Sequence, residues 1–207
     1  MQEDLETLDI NYCIGKPIID NTFMLTNHIN RYALAVDRLN ICDEDYVIDF
    51  SCGMGYGSFF LSNRAKYVIG VDVNCEYLDE AIKSYDDKGN LFFMSYDELY
   101  DYKGNNWNKG VCIEALEHVP KDKVDDLVSD MLSRLCVGAD LFLTMPLGND
   151  EPSTYNRYHL NEMSISTIDN MFKDRFKRMS YEIFDYKNSF GVDGRYCYVT
   201  LYGYKGE

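Results

Sequence analysis

Val47-Ile48-Asp49-Phe50-Ser51-Cys52-Gly53-Met54-Gly55-Tyr56-Gly57 reads as a buried strand that breaks into a glycine-rich turn and re-enters as a helix. Val47, Ile48 and Phe50 suit a strand, and three glycines in five positions let the backbone turn and approach a ligand closely. Ser58-Phe59-Phe60-Leu61 can then start a helix whose first amides face that ligand. An ordinary glycine turn would need no particular sequel. Here a second apolar run, Tyr67-Val68-Ile69-Gly70-Val71-Asp72, ends on a carboxylate 23 residues after Asp49 and 15 after Gly57. In a β-α-β unit that spacing sets an acid at the tip of the neighbouring strand, where it can accept hydrogen bonds from the two hydroxyls of a ribose. A nucleoside-bearing cofactor is implied.

The loop narrows the choice of cofactor. A dinucleotide fingerprint wants a third small residue two places after Tyr56 and a positive helix end open to pyrophosphate, whereas Asp49 precedes this loop and a carboxylate there repels a diphosphate. No Gly-Lys-Ser/Thr phosphate loop occurs in the chain. S-adenosylmethionine fits instead, with its ribose toward Asp72 and its zwitterionic methionine end toward the loop from Gly53 to Gly57.

With these residues in view, Asp49-Phe-Ser-Cys-Gly-Met-Gly-Tyr-Gly57 followed by Gly70-Val-Asp72-Val-Asn74 resembles the first two motifs of the class I S-adenosylmethionine-dependent methyltransferases, and the resemblance covers about residues 28 to 205. It departs at Ser51, where that family usually has glycine; a serine narrows the strand exit slightly and leaves the following glycines in register. The resemblance implies a cofactor-binding set of Asp49, Gly53, Gly55, Gly57, Asp72, Val73, Tyr96, Asp97 and Glu114. Asp97 inherits a contact with the adenine amino group, although a solvated turn aspartate would look the same. The Arg31-Tyr-Ala-Leu-Ala35 helix together with Cys-Gly-x-Gly-Tyr-Gly-Ser resembles a branch common among small-molecule and glycan-associated methyltransferases.

Composition agrees with a single domain. The chain has 207 residues, 46% of them hydrophobic, with 18 tyrosines and 11 phenylalanines to bury. We expect one domain over residues 27–207, preceded by a segment of residues 1–26 that either moves freely or folds over the site. A net charge of −15 argues against a general nucleic-acid or anionic-membrane surface. The seven cysteines are scattered and never spaced as Cys-x-x-Cys, a reduced pattern, so we expect a cytoplasmic protein. No apolar run approaches the roughly 20 residues that span a bilayer, and no membrane insertion is expected. The partner is a small-molecule substrate, with nucleic acid disfavoured; the sequence does not choose between monomer and homodimer.

In chain order, a helical stripe begins at His28 and precedes the first strand, and Asn74 caps the helix that returns from the second. A third strand, Leu91–Ser95, ends near Asp97. A fourth, Val111–Ile113, leads to Glu114-Ala-Leu-Glu117-His118. Asp122 and Asp125 begin a helix that Gly138 stops before a fifth strand, Leu141–Pro146. Helical spacing returns from Ile165 to Phe176, with Lys173, Arg175, Lys177 and Arg178 completing its positive end. Two tyrosine-rich strands, about 181–187 and 196–204, flank an Asp193-Gly194 turn. The fold expected is α/β: a Rossmann-like, seven-stranded, mostly parallel sheet with helices on both faces and a C-terminal antiparallel hairpin.

Methyl transfer from a sulfonium is an in-line displacement, helped by positioning and by removal of one proton when the acceptor is a hydroxyl. His118, with Glu117 beside it, and His159 stand where substrate would lie; His28 reads as a surface or core residue. Three roles stay open for His118: orienting its loop, acting as general base, or joining Glu114, Glu117 and His159 around a hard divalent ion such as Mg2+. The Glu-x-x-Glu-His spacing resembles that of metal-dependent ubiquinone-biosynthesis O-methyltransferases and of small-RNA 3′-terminal 2′-O-methyltransferases. The long polar stretch Pro146–Glu162 has the composition of a substrate-contacting lid, with Tyr155, Arg157, Tyr158 and His159 as candidate contacts, or of plain packing at its tyrosines. These features together favour an S-adenosylmethionine-dependent O-methyltransferase acting on a sugar, a sugar-bearing intermediate or a related metabolite. The alternatives are a metal-dependent RNA 3′-terminal 2′-O-methyltransferase-like enzyme and a non-catalytic cofactor-binding partner subunit.

Overall fold

Short apolar runs that alternate with helical stripes can bury themselves only by lining up as a sheet with helices packed against it. The computed structural model, which describes residues 22–102, 104, 106–187 and 193–206, shows that arrangement. Residues 1–21 of the expected N-terminal segment lie outside the described residues; Thr22 already begins a helix. Seven strands form one sheet, ordered Leu91–Ser95, Tyr67–Asp72, Tyr46–Phe50, Trp107–Ile113, Leu135–Leu147, Asp193–Tyr204 and Phe176–Lys187. Two compact units divide the chain after Lys103.

The first unit contains α1 (Thr22–Leu39), β1 (Tyr46–Phe50), α2 (Tyr56–Ser62), β2 (Tyr67–Asp72), α3 (Cys75–Tyr85), β3 (Leu91–Ser95) and α4 (Tyr96–Asp101). β1, β2 and β3 are parallel, with Ile48 beside Ile69 and Ile69 beside Phe92. Val47, Ile48, Phe50, Val68, Ile69 and Val71 are buried, which is why these strands read as unbroken apolar runs. Asn74 caps α3 as expected, accepting from the amides of Glu76 and Tyr77. Ser95 and Glu98 make a reciprocal capping box that starts α4 directly after β3, so Asp97 sits exposed in a helix's first turn rather than on a strand tip.

The second unit contains β4 (Trp107–Ile113), a short 3-10 turn (Leu116–His118), α5 (Val124–Ser133), β5 (Leu135–Leu147), α6 (Ile165–Phe172), β6 (Phe176–Lys187) and β7 (Asp193–Tyr204). β4 and β5 are parallel, and β7 pairs antiparallel with both β5 and β6. Three sequence expectations are corrected here. Gly138 does not stop α5, which ends at Ser133; it lies within β5 at φ +91°, where the ladder jumps from Trp107 opposite Leu135 to Lys109 opposite Asp140. The Lys109–Asp140 ion pair, at 2.7 Å, sits just past this irregularity. Asp193 and Gly194 are not the hairpin turn but the first residues of β7, facing Lys187 and Tyr186, and the connection lies outside the described residues. Lys177 and Arg178 belong to β6 and not to a helix end; the Arg178 guanidinium lies over the Tyr202 ring at 3.8 Å. None of the described helices is long and apolar enough to cross a membrane.

Packing of α1 on α2 depends on one missing side chain. A Cβ on Gly57 would lie 1.9 Å from the Tyr32 ring, whereas one on Gly89 would meet nothing within 4 Å. Gly57→Ala is therefore expected to lower the unfolding free energy by about 1–3 kcal/mol, and Gly89→Ala to change it by less than about 0.5 kcal/mol, in urea or thermal unfolding.

Candidate functional site

In the first unit the chain leaves β1 through residues that adopt the left-handed region: Ser51 at φ 60°, Gly53 at 54° and Gly55 at 80°. A side chain at the positive φ of Ser51 costs about 1 kcal/mol or more, which a glycine there would avoid. The loop is tied down by its own amides. Cys52 N–H donates to the Val71 carbonyl at 2.9 Å and Gly55 N–H to the Cys52 carbonyl at 3.1 Å. Gly53 N–H donates to Asp72 Oδ2 at 2.8 Å, while Asn74 N–H donates to Asp72 Oδ1 at 2.9 Å. Asp72 thus joins the glycine loop to the exit of β2, and each of its oxygens keeps a further acceptor direction.

Asp49 lies beneath this loop, fully buried. Ser58 Oγ donates to its Oδ2 at 2.6 Å and the Tyr32 hydroxyl to its Oδ1 at 3.3 Å. Burial raises its pKa to about 7; the hydrogen bonds from Ser58 and Tyr32 oppose that rise and the charge of Asp72 adds to it. Tyr56 bonds His28 Nδ1 at 2.9 Å. Tyr32 and Ser58 as partners of Asp49, and His28 as a partner of the loop, were not legible in the sequence, since nothing in their spacing links them to the acid. Val73 is exposed and Tyr96 half-buried; Gly57 serves as the seat of the Tyr32 ring.

In the second unit Glu114 follows β4 at φ 50° and accepts from Thr144 Oγ1 at 2.8 Å. Glu117 is buried to 1%, and its main-chain carbonyl accepts from the amides of Leu160 at 2.7 Å and Asn161 at 3.1 Å. His118 Nδ1 stands 3.1 Å from the Tyr158 carbonyl. A carbonyl only accepts, so Nδ1 carries the hydrogen and Nε2 keeps the lone pair in the neutral ring. His159 Nδ1 stands 2.8 Å from Glu162 Oε1, which selects the same tautomer beside an ionised carboxylate. The two rings meet edge-on at 5.2 Å.

Glu117, His118 and His159 each offer a ligand atom within 4.8 Å of the others. Glu114, the fourth residue of the expected set, is not in that group. Glu162 was missed in the sequence, although its His-x-x-Glu spacing from His159 is a signal that could have found it. The stretch expected to be a lid is closed by its own ladder: Gly148 N–H to the Met163 carbonyl, Asp150 N–H to that of Glu162, and Glu162 N–H to that of Glu151. Asp150 also accepts from the Ser164 amide and hydroxyl, both at 2.8 Å. Tyr155 and Arg157 are exposed on this loop, with the Arg157 guanidinium 4.8 Å over the half-buried Tyr158 ring.

The raised pKa of Asp49 has a sign that can be checked. A carboxyl whose folded pKa lies above its unfolded value binds more protons in the native state between the two, so its stabilising share is whole below about pH 4 and lost as pH rises through 7. The unfolding free energy of the wild type minus that of Asp49→Asn should therefore fall between pH 4 and 7 and be level above about pH 8. A flat difference in denaturant titrations would contradict the burial of this charge.

Residues 47–138 match the family described as Methyltransferase domain. The chain is 39% identical over 54 residues to a probable cobalt-precorrin-6B C(15)-methyltransferase (decarboxylating) of Methanococcus vannielii, covering 26% of this chain and 30% of that protein. It is 31% identical over 96 residues to a 23S rRNA (uracil(1939)-C(5))-methyltransferase of Vibrio campbellii, covering 44% of this chain and 22% of that one. It therefore spans less than a third of the length of either relative. Among solved structures, phosphoethanolamine N-methyltransferase 2 of Haemonchus contortus, in complex with S-adenosyl-L-methionine, superimposes with a TM-score of 0.67 at 14% identity, covering 86% of this chain and 53% of that one. Residues 47–138 are thus similar to a methyltransferase domain, and the chain shares the fold of that solved methyltransferase.

Proposed function

We propose that the protein transfers the methyl group of S-adenosylmethionine to a hydroxyl of a small polar compound: a sugar, a sugar-bearing intermediate or a related metabolite. The observation that carries the acceptor chemistry is the bond between His118 Nδ1 and the Tyr158 carbonyl, which reserves Nε2 as a base. In this reading Asp72 holds the ribose and Asp49, beneath the loop from Gly53 to Gly57, favours the cationic amino group of the methionine end. Val73, Tyr96, Asp97 and Glu114 complete the cofactor contacts, while Tyr155, Arg157 and Tyr158 line the acceptor side. The acceptor oxygen forms its bond to the methyl carbon as the carbon–sulfur bond breaks. The hydroxyl proton passes to His118 Nε2, and the sulfonium leaves as the neutral thioether of S-adenosylhomocysteine. Glu117, buried beside His118, favours the imidazolium so formed.

Net charge supports a small acceptor over RNA, since a phosphate track requires cations and the chain carries −15. The rRNA-modifying relative keeps RNA as the competing acceptor class. The six cysteines among the described residues are free thiols, which fits a reducing cytoplasm.

Isothermal titration should show binding of S-adenosylmethionine and S-adenosylhomocysteine by the wild type and a loss of about tenfold or more in Asp72→Ala. Absence of binding to the wild type would defeat the reading. Turnover with any acceptor excludes a non-catalytic binding subunit. On an acceptor so identified, His118→Ala should lower kcat by about 10²–10⁴ and leave the cofactor titration unchanged. Full activity in that variant would return His118 to the role of holding its loop.

A second reading is favoured by the grouping of Glu117, His118 and His159 and by the Nδ1 partner of each histidine, the arrangement in which outer groups orient metal-binding imidazoles. These three residues fit a divalent ion such as Mg2+ or a softer one, which would acidify the substrate hydroxyl when bound. Activity that is lost on chelation and restored by a divalent ion supports it; activity indifferent to both leaves His118 as base alone.

A further inference from the structure

β6 ends the sheet order, and among the described residues its strand partner is β7 on one side. Its outer edge is long, and long open edges recruit other strands unless something blunts them. Ile183 and Phe184 on it are 49% and 43% exposed, and Lys177, Arg178 and Asp185 are exposed beside them. The edge therefore carries apolar side chains with charges at either end.

We propose that this edge pairs with the same edge of a second copy of the chain, antiparallel about a two-fold axis at Tyr181, to make a continuous sheet across a homodimer. A two-fold pairing of identical antiparallel strands must set residues of equal parity opposite one another, because opposed side chains share a face. About Tyr181 that rule places Lys177 against Asp185, Met179 against Ile183 and Tyr181 against its mate on one face. On the other it places Arg178 against Phe184 and Ser180 against Glu182. The register then has a salt bridge at both ends and apolar contacts inside them, with Arg178 beside Phe184 and no like charges opposed. Neighbouring registers lose this. An axis at Glu182 sets that acid against itself and Asp185 against Met179, and an axis at Ser180 leaves Lys177 against Ile183. The occupant that fits the charge pattern of this edge is thus the edge itself. This inference does not rest on the methyltransferase reading.

Sedimentation equilibrium tests it. The wild type should run at twice its 24.1 kDa chain mass at micromolar concentration. Lys177→Glu sets one carboxylate against another at each end of the seam, and Asp185→Lys sets one ammonium against another, so each variant alone should raise the dimer dissociation constant by at least about tenfold. Mixed in equal amounts, the two variants restore opposite charges at both ends and should form a heterodimer; the double variant Lys177→Glu/Asp185→Lys should dimerise like the wild type. Rescue by mixing cannot come from variants that fail to fold, which makes it the deciding measurement. A monomeric wild type, single variants that dimerise undiminished, or mixtures that stay monomeric would each overturn the proposal.

Discussion

A carboxylate has been taken fully out of water at Asp49, and much of the first unit is arranged to make that tolerable. Its two oxygens are met by hydroxyls from different helices, Tyr32 of α1 and Ser58 of α2. The tyrosine can reach only because Gly57 has no side chain in its way. The loop above depends on the same region: its left-handed turns at Ser51, Gly53 and Gly55 deliver the Gly53 amide to Asp72. Strand, loop and two helices therefore share one electrostatic obligation, and the strain of a serine at positive φ is held by the bonds on either side of it.

The second unit solves a different problem, that of presenting two imidazoles with defined tautomers. It does so with acceptors that cannot donate: a main-chain carbonyl for His118 and a carboxylate for His159. The sequence around them is short on chemistry but long on turns. The ladder from Gly148 to Ser164 turns what composition suggested was a lid into a closed lobe with His159 near its base.

Those elements also show what could be read from residues alone. The central strands β1 and β2 were legible because burial on both faces leaves mostly apolar letters, and the glycine loop because left-handed backbone leaves few choices. Asp49 and Asp72 were found by their position at strand ends. What failed was register and junction. Gly138 looks the same whether it closes a helix or relieves a strand irregularity, and Asp193-Gly194 looks like a turn whether or not the strands run past it. The Ser95–Glu98 capping box was a readable signal passed over. Tyr32, His28 and Ser58 were invisible as site residues since their partners are distant in sequence, and so is the Thr144 hydroxyl that bonds Glu114, 30 residues away.

The carbonyl of Glu117 accepts two amides from the lobe while its side chain is buried. Main-chain atoms are common to all residue types, so the seat of the lobe is indifferent to what side chain stands at this position. A descendant chain can exchange the side chain at this position one letter at a time while the two main-chain bonds that seat the lobe stay where they were.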